Sequence, residues 1–324
     1  MKPVAVIILN WNGEKLLGEF LPSVVRHTPS DIADVIVADN GSTDGSLALL
    51  AESFPSVKTL AFDRNYGFAE GYNRALRLTG YRYTVLLNSD VAVRSDWLTP
   101  LWRFMEATPG AAACQPKLLS YRQPDMFEYA GAAGGFLDCH GYPYCRGRVF
   151  DRVEKDHGQY DDTAEVDWAS GAALMVRTEV YEAAGGLDAS FFAHMEEIDL
   201  CWRMRLLGWK VYAVGDAAVY HLGGGSLPAS NPRKTYLNFR NNLLMLRKNL
   251  PARGRRRALI VRRLLDTLAF MKFAVTLDTG NAMAVIRAHR DYRRMAADGP
   301  VSASENLLAG RPDILVGHYI RRRV

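Results

Sequence analysis

The residues of this 324-residue chain best suited to chemistry gather in a few short polar clusters. The richest is Val37-Ala38-Asp39-Asn40-Gly41-Ser42-Thr43-Asp44-Gly45-Ser46. A carboxylate such as Asp39, at the end of an apolar run, can accept hydrogen bonds from a ring N–H or a ribose hydroxyl. The competing role is a turn or helix cap. Asp44 fits that role better, because Gly45-Ser46 opens the next helix. Asn88-Ser89-Asp90 follows a second apolar run. A strand-end carboxylate beside another oxygen ligand suits Mg²⁺ or Mn²⁺ held through a diphosphate, although Asn-Ser-Asp alone is also a common turn. Glu196 and Glu197 open a helical pattern over residues 195–207, where the macrodipole favours acids. Their side chains project about 100° apart, so they cannot face the same group. Asp199 and Arg203 are four residues apart and can pair on one helix face. Trp168-Ala169-Ser170-Gly171-Ala172 sets a ring beside small residues. Such a ring either stacks on a sugar and admits an acceptor, or fills the core.

These clusters need elements that bring them together. Residues 4–9, 35–38, 57–61 and 84–87 read as buried strands. Helical patterns lie between them, through Leu16 to Val24, over 46–54 and over 67–79. Strands alternating with helices imply βαβ units and a parallel sheet. In such sheets ligands bind at the carboxyl ends of the strands. Asn10-Trp11-Asn12, Asp39-Asn40-Gly41 and Asn88-Ser89-Asp90 all fall there. Residues 120–165 have weak periodicity and read as an irregular excursion that could shape an acceptor pocket. Order returns over 166–176, followed by a helix over 178–184. Two short strands are expected at 210–214 and 218–220, and a basic helical region from about residue 236. The first strand does not lead into GxGxxG, and no GxxxxGK[ST] exists, which argues against a dinucleotide fold or a P-loop. Gly223-Gly224-Gly225 comes late and carries little.

The net charge of +5 conceals a division. Residues 1–232 sum to −9 and residues 233–324 to +14. An acidic body thus carries a basic tail, which points to an anionic partner for the tail. The four cysteines form no CxxC pair, so reduced thiols in a cytosolic protein are expected. The N-terminal apolar run is too short for a signal-peptide core, and no stretch reaches the roughly 20 uncharged apolar residues that span a bilayer.

Taken together, the motifs resemble the family 2 inverting glycosyltransferases of the GT-A fold, in particular their rhamnosyltransferase-like branch. The resemblance rests on Ile7-Ile8-Leu9-Asn10-Trp11-Asn12-Gly13, the Asp39 cluster, Arg64-Asn65-Tyr66-Gly67-Phe68-Ala69-Glu70-Gly71-Tyr72-Asn73 and Leu86-Leu87-Asn88-Ser89-Asp90. It continues through the Trp168 cluster, Glu196-Glu197-Ile198-Asp199-Leu200-Cys201-Trp202-Arg203 and Val219-Tyr220-His221. These stand in the family's order over about residues 3–245.

The resemblance implies an α/β GT-A fold with a mainly parallel central sheet and a basic helical C-terminal appendage. Residues 1–232 would be the catalytic domain, with a nucleotide-binding half over about 1–118 and an acceptor half over about 119–232. Residues 233–324 would be the appendage. Asp39 would contact the nucleobase of a nucleoside-diphosphate sugar. Asn12, Arg64, Asn65, Asn88 and Ser89 would line the nucleotide-sugar pocket. Asp90, in the position of the DxD motif, and His221 would bind Mg²⁺ or Mn²⁺; Asn88 departs from the first acid of that motif. Glu196, Glu197 and Asp199 make up the catalytic set, with Glu197 as the base. Trp168 and Gly171 would meet the acceptor. The reaction implied is one direct displacement with inversion, from dTDP-rhamnose by preference, or from UDP-galactofuranose or another UDP-hexose, to a glycan or lipid-linked hydroxyl. A non-catalytic relative that binds a nucleotide sugar is the competing class.

The tail interleaves Arg253, Arg255, Arg256, Arg257, Arg262 and Arg263 with Leu259, Ile260, Val261, Leu264, Leu265 and Leu268. Basic and apolar residues at helical spacing suit an anionic leaflet. This gives a peripheral, cytoplasmic location on the inner face of the membrane. Packing on the body or on a second subunit, as a homo-oligomer, is the alternative. No motif supports nucleic acid. Arg321-Arg322-Arg323 reads as a solvated end.

Overall fold

The computed structural model describes residues 2–223, 231–295 and 305–317. The Arg321-Arg322-Arg323 run and Gly224-Gly225 lie outside them. The first 87 residues alternate strand and helix: β1 (Val4–Asn10), α1 (Glu14–His27), β2 (Ala33–Asp39), α2 (Ser46–Ser53), β3 (Lys58–Ala61), α3 (Phe68–Thr79) and β4 (Tyr83–Leu87). After them come β5 (Val91–Ala92), α4 (Leu98–Ala107) and β6 (Ala111–Ser120). Four short strands follow, β7 (Gly135–Leu137), β8 (Pro143–Cys145), β9 (Arg148–Val149) and β10 (Arg152–Val153). The chain then forms β11 (Thr163–Val166), β12 (Ala173–Arg177), α5 (Thr178–Ala183), α6 (Glu196–Leu206) and β13 (Lys210–His221). Three helices follow β13: α7 (Pro232–Asn249), α8 (Ala252–Val275), kinked at Arg253-Gly254, and α9 (Thr279–Arg294).

The main sheet runs β11-β13-β6-β12-β4-β1-β2-β3, with β5 beside β13. β3, β2, β1 and β4 are parallel neighbours, as are β6 and β13, while β12 lies antiparallel between β4 and β6. The two-residue period of a strand divides β1 between two cores. Val4, Val6 and Ile8 meet Leu17, Leu21 and Val24 of α1 on one face. Ala5 and Ile7 meet Ala69, Tyr72, Ala75 and Leu76 of α3 on the other. Each fully buried Leu or Val contributes about 1.5–3 kcal/mol. The sheet is therefore a rigid platform whose strand ends have fixed positions.

Three regions differ from the sequence expectation. The irregular excursion holds a second, antiparallel sheet, β10-β9-β8-β7. Its strands are two or three residues long, too short to show a period. The two strands expected at 210–214 and 218–220 are one strand, β13, whose register along β6 shifts between Val214 and Ala218. At that irregularity Gly215 donates its N–H to the Asp162 carbonyl, and a Cβ there would lie 2.3 Å from the Tyr160 carbonyl oxygen. The helical region begins at Pro232, with the Asn231 side chain capping the Arg233 N–H.

α7 packs on α6 as well as on α8 and α9. Residues 305–317 return to the second sheet: Cys139 N–H donates to the Pro312 carbonyl, and Arg311 pairs with Asp167 at 2.5 Å. Among the described residues no helix is long and apolar enough to cross a membrane.

Candidate active site

Pairing sets the first part of the site. Asn10 is opposite Asp39 in the β1–β2 ladder, and Leu87 is opposite Ile8 in the β1–β4 ladder. The carboxyl ends of β2, β1 and β4 therefore lie side by side. Asp39 is buried, and both its oxygens are engaged: Oδ1 accepts from Asn10 Nδ2 at 2.9 Å and Oδ2 from the Ser42 N–H at 2.9 Å. The carboxylate is fixed in direction, with lone pairs left for a ligand N–H. Asn12, at φ +49°, donates its N–H to Ser42 Oγ and accepts the Thr43 N–H on Oδ1 at 2.7 Å. It thus ties the β1 loop to the β2 loop and keeps its side-chain NH₂ for a ligand.

Asn65 is bound to the same cluster through Asn40, whose Nδ2 donates to Asn65 Oδ1 at 3.0 Å and to the Gly67 carbonyl. Asn40 Oδ1 accepts the Tyr66 N–H. Gly41 permits this approach, because at φ +72° a Cβ would sit 2.5 Å from the Arg64 backbone. Arg64 is exposed, with its guanidinium over the Tyr66 ring.

The second part joins residues far apart in sequence. β5 pairs with the end of β13, so Val91 faces His221, and the Leu222 N–H donates to the Asp90 carbonyl. His221 Nε2 lies 3.0 Å from Asp90 Oδ1 and 3.4 Å from Asn88 Nδ2. Its Nδ1 is 3.6 Å from Glu128 Oε2, an ion-pair distance too long for a hydrogen bond. Burial pushes the imidazole pKa down, but the hydrogen bond to Asp90 and the charges of Asp90 and Glu128 outweigh it and hold it at about 10. Ser89 lies partly buried between Asn88 and Asp90.

One imidazole nitrogen and one carboxylate oxygen that converge in this way match the donor preference of Mn²⁺-like cations. His221 Nδ1 is buried without a hydrogen-bond partner. A cation that displaces the Nε2 proton would take His221 and Asp90 as two ligands and leave room for donor oxygens, so the residues present fit a divalent cation shared with a diphosphate. Among the described residues, the one group of three or more His, Cys, Asp or Glu with metal-ligand spacing lies elsewhere, at Cys139, His140 and Asp313.

The third part is the acidic pair. The Asn88 N–H donates to the Ala172 carbonyl, which sets the start of β12 against the 88–90 turn. Gly171 stands there, and a Cβ on it would meet Glu197 Cβ at 3.7 Å. Glu197 Oε2 and Glu196 Oε2 are buried without hydrogen-bond partners. Burial, and then the charge of Glu197, holds Glu196 well above the usual carboxylate range. Burial raises Glu197 too, opposed by backbone N–H groups of Glu197, Ile198 and Gly171. Of the pair, Glu197 is thus the better placed to carry charge.

Two expected residues are not brought to this site. Asp199 is fully buried on the far side of α6, where it binds Arg203 Nε at 2.8 Å, Lys248 Nζ at 3.0 Å and Asn249 Nδ2 at 2.7 Å. Two residues along a helix is about 200° of rotation, so Asp199 faces α7 when Glu197 faces β12. Its role here is an ion pair within the packed core. Trp168 is 3% exposed, and its Nε1–H donates to the Phe136 carbonyl at 3.0 Å. Its ring lies on Gly135, where a Cβ would come within 1.9 Å. It fills the core and offers no face to a sugar.

Residues 5–129 match the family model of glycosyl transferase family 2. The chain carries a glycosyl transferase family 2 domain. The chain is 26% identical over 234 residues to the N-acetylglucosaminyl-diphospho-decaprenol L-rhamnosyltransferase of Mycobacterium tuberculosis, spanning 67% of this chain and 75% of that protein. It is 27% identical over 266 residues to the dTDP-rhamnosyl transferase RfbF of Shigella flexneri, spanning 76% and 80%. Among solved structures it resembles S. aureus TarS 1–349 in complex with UDP-GlcNAc, with a TM-score of 0.59 and 16% identity, over 90% of this chain and 80% of that one. It also resembles GalNAc-T7 with UDP, GalNAc and Mn²⁺, with a TM-score of 0.58 and 16% identity, over 76% of this chain and 48%, about half, of that one. The architecture is the GT-A fold, and this glycosyltransferase is an enzyme of the transferase class.

Sequence reasoning missed several residues of this candidate site. Asn40 and Ser42 lay inside the recognised cluster, where their types were the available signal. Glu128 lay in the excursion, with nothing beside it to suggest that it would meet His221.

Proposed function

We propose that this glycosyltransferase moves a hexosyl or deoxyhexosyl unit from a nucleoside-diphosphate sugar to an acceptor hydroxyl, with inversion. The observation that carries the reading is the partnerless Glu197 carboxylate oxygen at the start of β12, beside the 88–90 turn. Asp39 holds the base, and Asn12, Arg64, Asn65, Asn88 and Ser89 line the nucleotide sugar. A divalent cation, Mg²⁺ or Mn²⁺, bound at Asp90 and His221 would supply positive charge to the departing diphosphate. Glu197 takes the proton from the acceptor hydroxyl. The acceptor oxygen forms its bond to the anomeric carbon as the bond to the diphosphate oxygen breaks. The nucleoside diphosphate leaves with that electron pair. Burial, and then the charge of Glu197, raises Glu196 well above the usual carboxylate range, which leaves Glu197 as the better carrier of the pair's negative charge. Gly171 leaves the space through which the acceptor reaches Glu197.

The likeness to proteins named as rhamnosyltransferases supports dTDP-rhamnose as the donor, and a lipid-linked acceptor is supported by the name of the mycobacterial relative. A panel of dTDP-rhamnose, UDP-galactofuranose and UDP-hexoses, read by donor hydrolysis with Mn²⁺ present and after EDTA, tests this. Turnover of dTDP-rhamnose that EDTA abolishes is expected. Turnover indifferent to EDTA would remove Asp90 and His221 from metal binding, and a silent panel would overturn the enzymatic reading.

The same proposal divides the chain into a catalytic domain over 1–232 and a helical region over 233–324 that sits on the inner leaflet. Ile260, Leu264, Leu268, Met271 and Val275 are exposed at spacings of three and four along α8. They form one stripe about 22 Å long. Arg256, Arg263 and Lys272 are exposed on its flanks, and the one acid of α8, Asp266, is buried against Arg262 and His289. A second copy would bring like charge to like charge, so anionic lipid is the matching partner. Flotation with phosphatidylglycerol vesicles, lost with phosphatidylcholine alone or in the doubly substituted Leu264→Glu, Leu268→Glu protein, is expected. Equal flotation of both proteins would rule the stripe out.

A further inference from the structure

The segment that leads into the acidic pair has an unusual backbone. Phe192, His194 and Met195 have φ of +67°, +68° and +74°. Residues with a Cβ adopt this left-handed region with difficulty, and they hold it when surrounding structure imposes it. Met195 is the residue immediately before Glu196 and caps α6. The direction in which Glu196 and Glu197 leave the loop is therefore set by this short turn.

What imposes the turn is a pair of consecutive side chains on α7. Asn241 is fully buried, and its Nδ2 donates to three carbonyls of the loop: Phe191 at 3.0 Å, Ala193 at 2.8 Å and His194 at 2.7 Å. Arg240 orients that amide by donating from Nε to Asn241 Oδ1 at 2.9 Å, and its NH2 reaches the Phe191 carbonyl at 2.8 Å. Arg240 is itself held by Tyr236 Oη, which donates to Asp291 on α9. An amide NH₂ aimed at a cluster of carbonyls has no neutral substitute of the same shape that keeps the donors. A carboxylate there would face three carbonyl oxygens with no hydrogen to offer.

We infer that Asn241, oriented by Arg240, is a positioning residue for catalysis: it fixes the 191–195 turn and thereby the direction of the Glu197 carboxylate. The inference rests on Glu197 as the base. It also makes the first of the C-terminal helices part of the catalytic apparatus, whatever the other two do. The neighbouring Asn242 supplies the control. It is equally buried, on the same helix, but its Nδ2 donates to the Gly141 carbonyl at 2.6 Å, far from the turn in sequence.

The test compares Asn241→Asp, Asn242→Asp and Glu197→Gln in the full chain, using the donor that the wild type turns over. Readouts are kcat, donor KM, and calorimetric binding of dTDP with Mn²⁺. Displacing the base by an ångström costs about 10²-fold in rate, so Asn241→Asp should lose that much in kcat. Its donor KM and dTDP affinity should stay within about threefold of wild type, since the nucleotide half is untouched. Asn242→Asp should keep kcat within about threefold, because its bond does not reach the turn. Wild-type kcat in Asn241→Asp, or equal losses in the two aspartate variants, would overturn the inference. If Glu197→Gln retains turnover, the base assignment itself fails. If Glu197→Gln is silent while Asn241→Asp is active, the positioning role alone fails.

Discussion

Asp199→Asn separates a packing role from a chemical one. The wild-type carboxylate accepts from Arg203, Lys248 and Asn249, with no exposed surface. Removing one member of a buried pair costs about 3–5 kcal/mol, because the partner charge stays buried and uncompensated. Two features place Asp199→Asn toward the lower end. The amide keeps one carbonyl to accept from Asn249, and Lys248 retains Asp188 at 2.8 Å. Arg203 is worse off, since its other bonds are to the Ala184 and Gly186 carbonyls and leave its charge unbalanced. A loss of about 3 kcal/mol is expected, which for a chain of 324 residues lowers Tm by about 4–5 °C. Urea titration and thermal melting measure it, alongside kcat at a temperature where both proteins are folded. The variant should melt early and turn over donor within about threefold of wild type. A stability change under about 1 kcal/mol with kcat collapsed would refute the reasoning and return Asp199 to the chemistry.

Two further outcomes follow from the same geometry. Gly41→Ala puts a Cβ 2.5 Å from the Arg64 backbone at a φ of +72°, so it should weaken dTDP or UDP binding about tenfold or more, read by calorimetry. Gly171→Ala, whose Cβ would meet Glu197 at an ordinary 3.7 Å, should leave nucleotide affinity intact. The second outcome concerns pH. Glu197 must be ionised to act, and burial raises it, so kcat/KM should rise with pH through a value above the ordinary 4.5. Glu196→Gln should leave that limb in place, because burial rather than the charge of Glu196 raises Glu197. In stability the sign is opposite. Glu196 is raised, so its contribution is full below about 4.5 and is lost as pH rises through the raised value. Glu196→Gln should therefore lose less stability than wild type as pH rises above about 4.5.

Much of the site could be read from the sequence because parallel strands deliver it. The apolar runs before Asn10, Asp39 and Asn88 are strands long enough to show their pattern, and neighbouring parallel strands carry their ends to one edge. His221 was recognisable from its motif, and its pairing with the 90–92 segment completes the cluster. The second sheet was not legible, since Pro143–Cys145 and Arg148–Val149 are too short for a period. β6 was hidden for another reason: Ala111 to Pro116 lacks branched side chains and contains a proline. The role of Trp168 turned on Gly135, and that of Asp199 on Lys248 and Asn249, which are 33 to 50 residues distant and invisible to local spacing.

The central claim is that Glu197 deprotonates the acceptor. Glu197→Gln keeps the side chain's size and its place beside Gly171 while removing the base. The measurement is sugar transfer to acceptor under saturating donor, with dTDP affinity measured on the same preparation. A fall of about 10²–10⁴ in kcat with dTDP affinity unchanged is the predicted result. Transfer near the wild-type rate would contradict it.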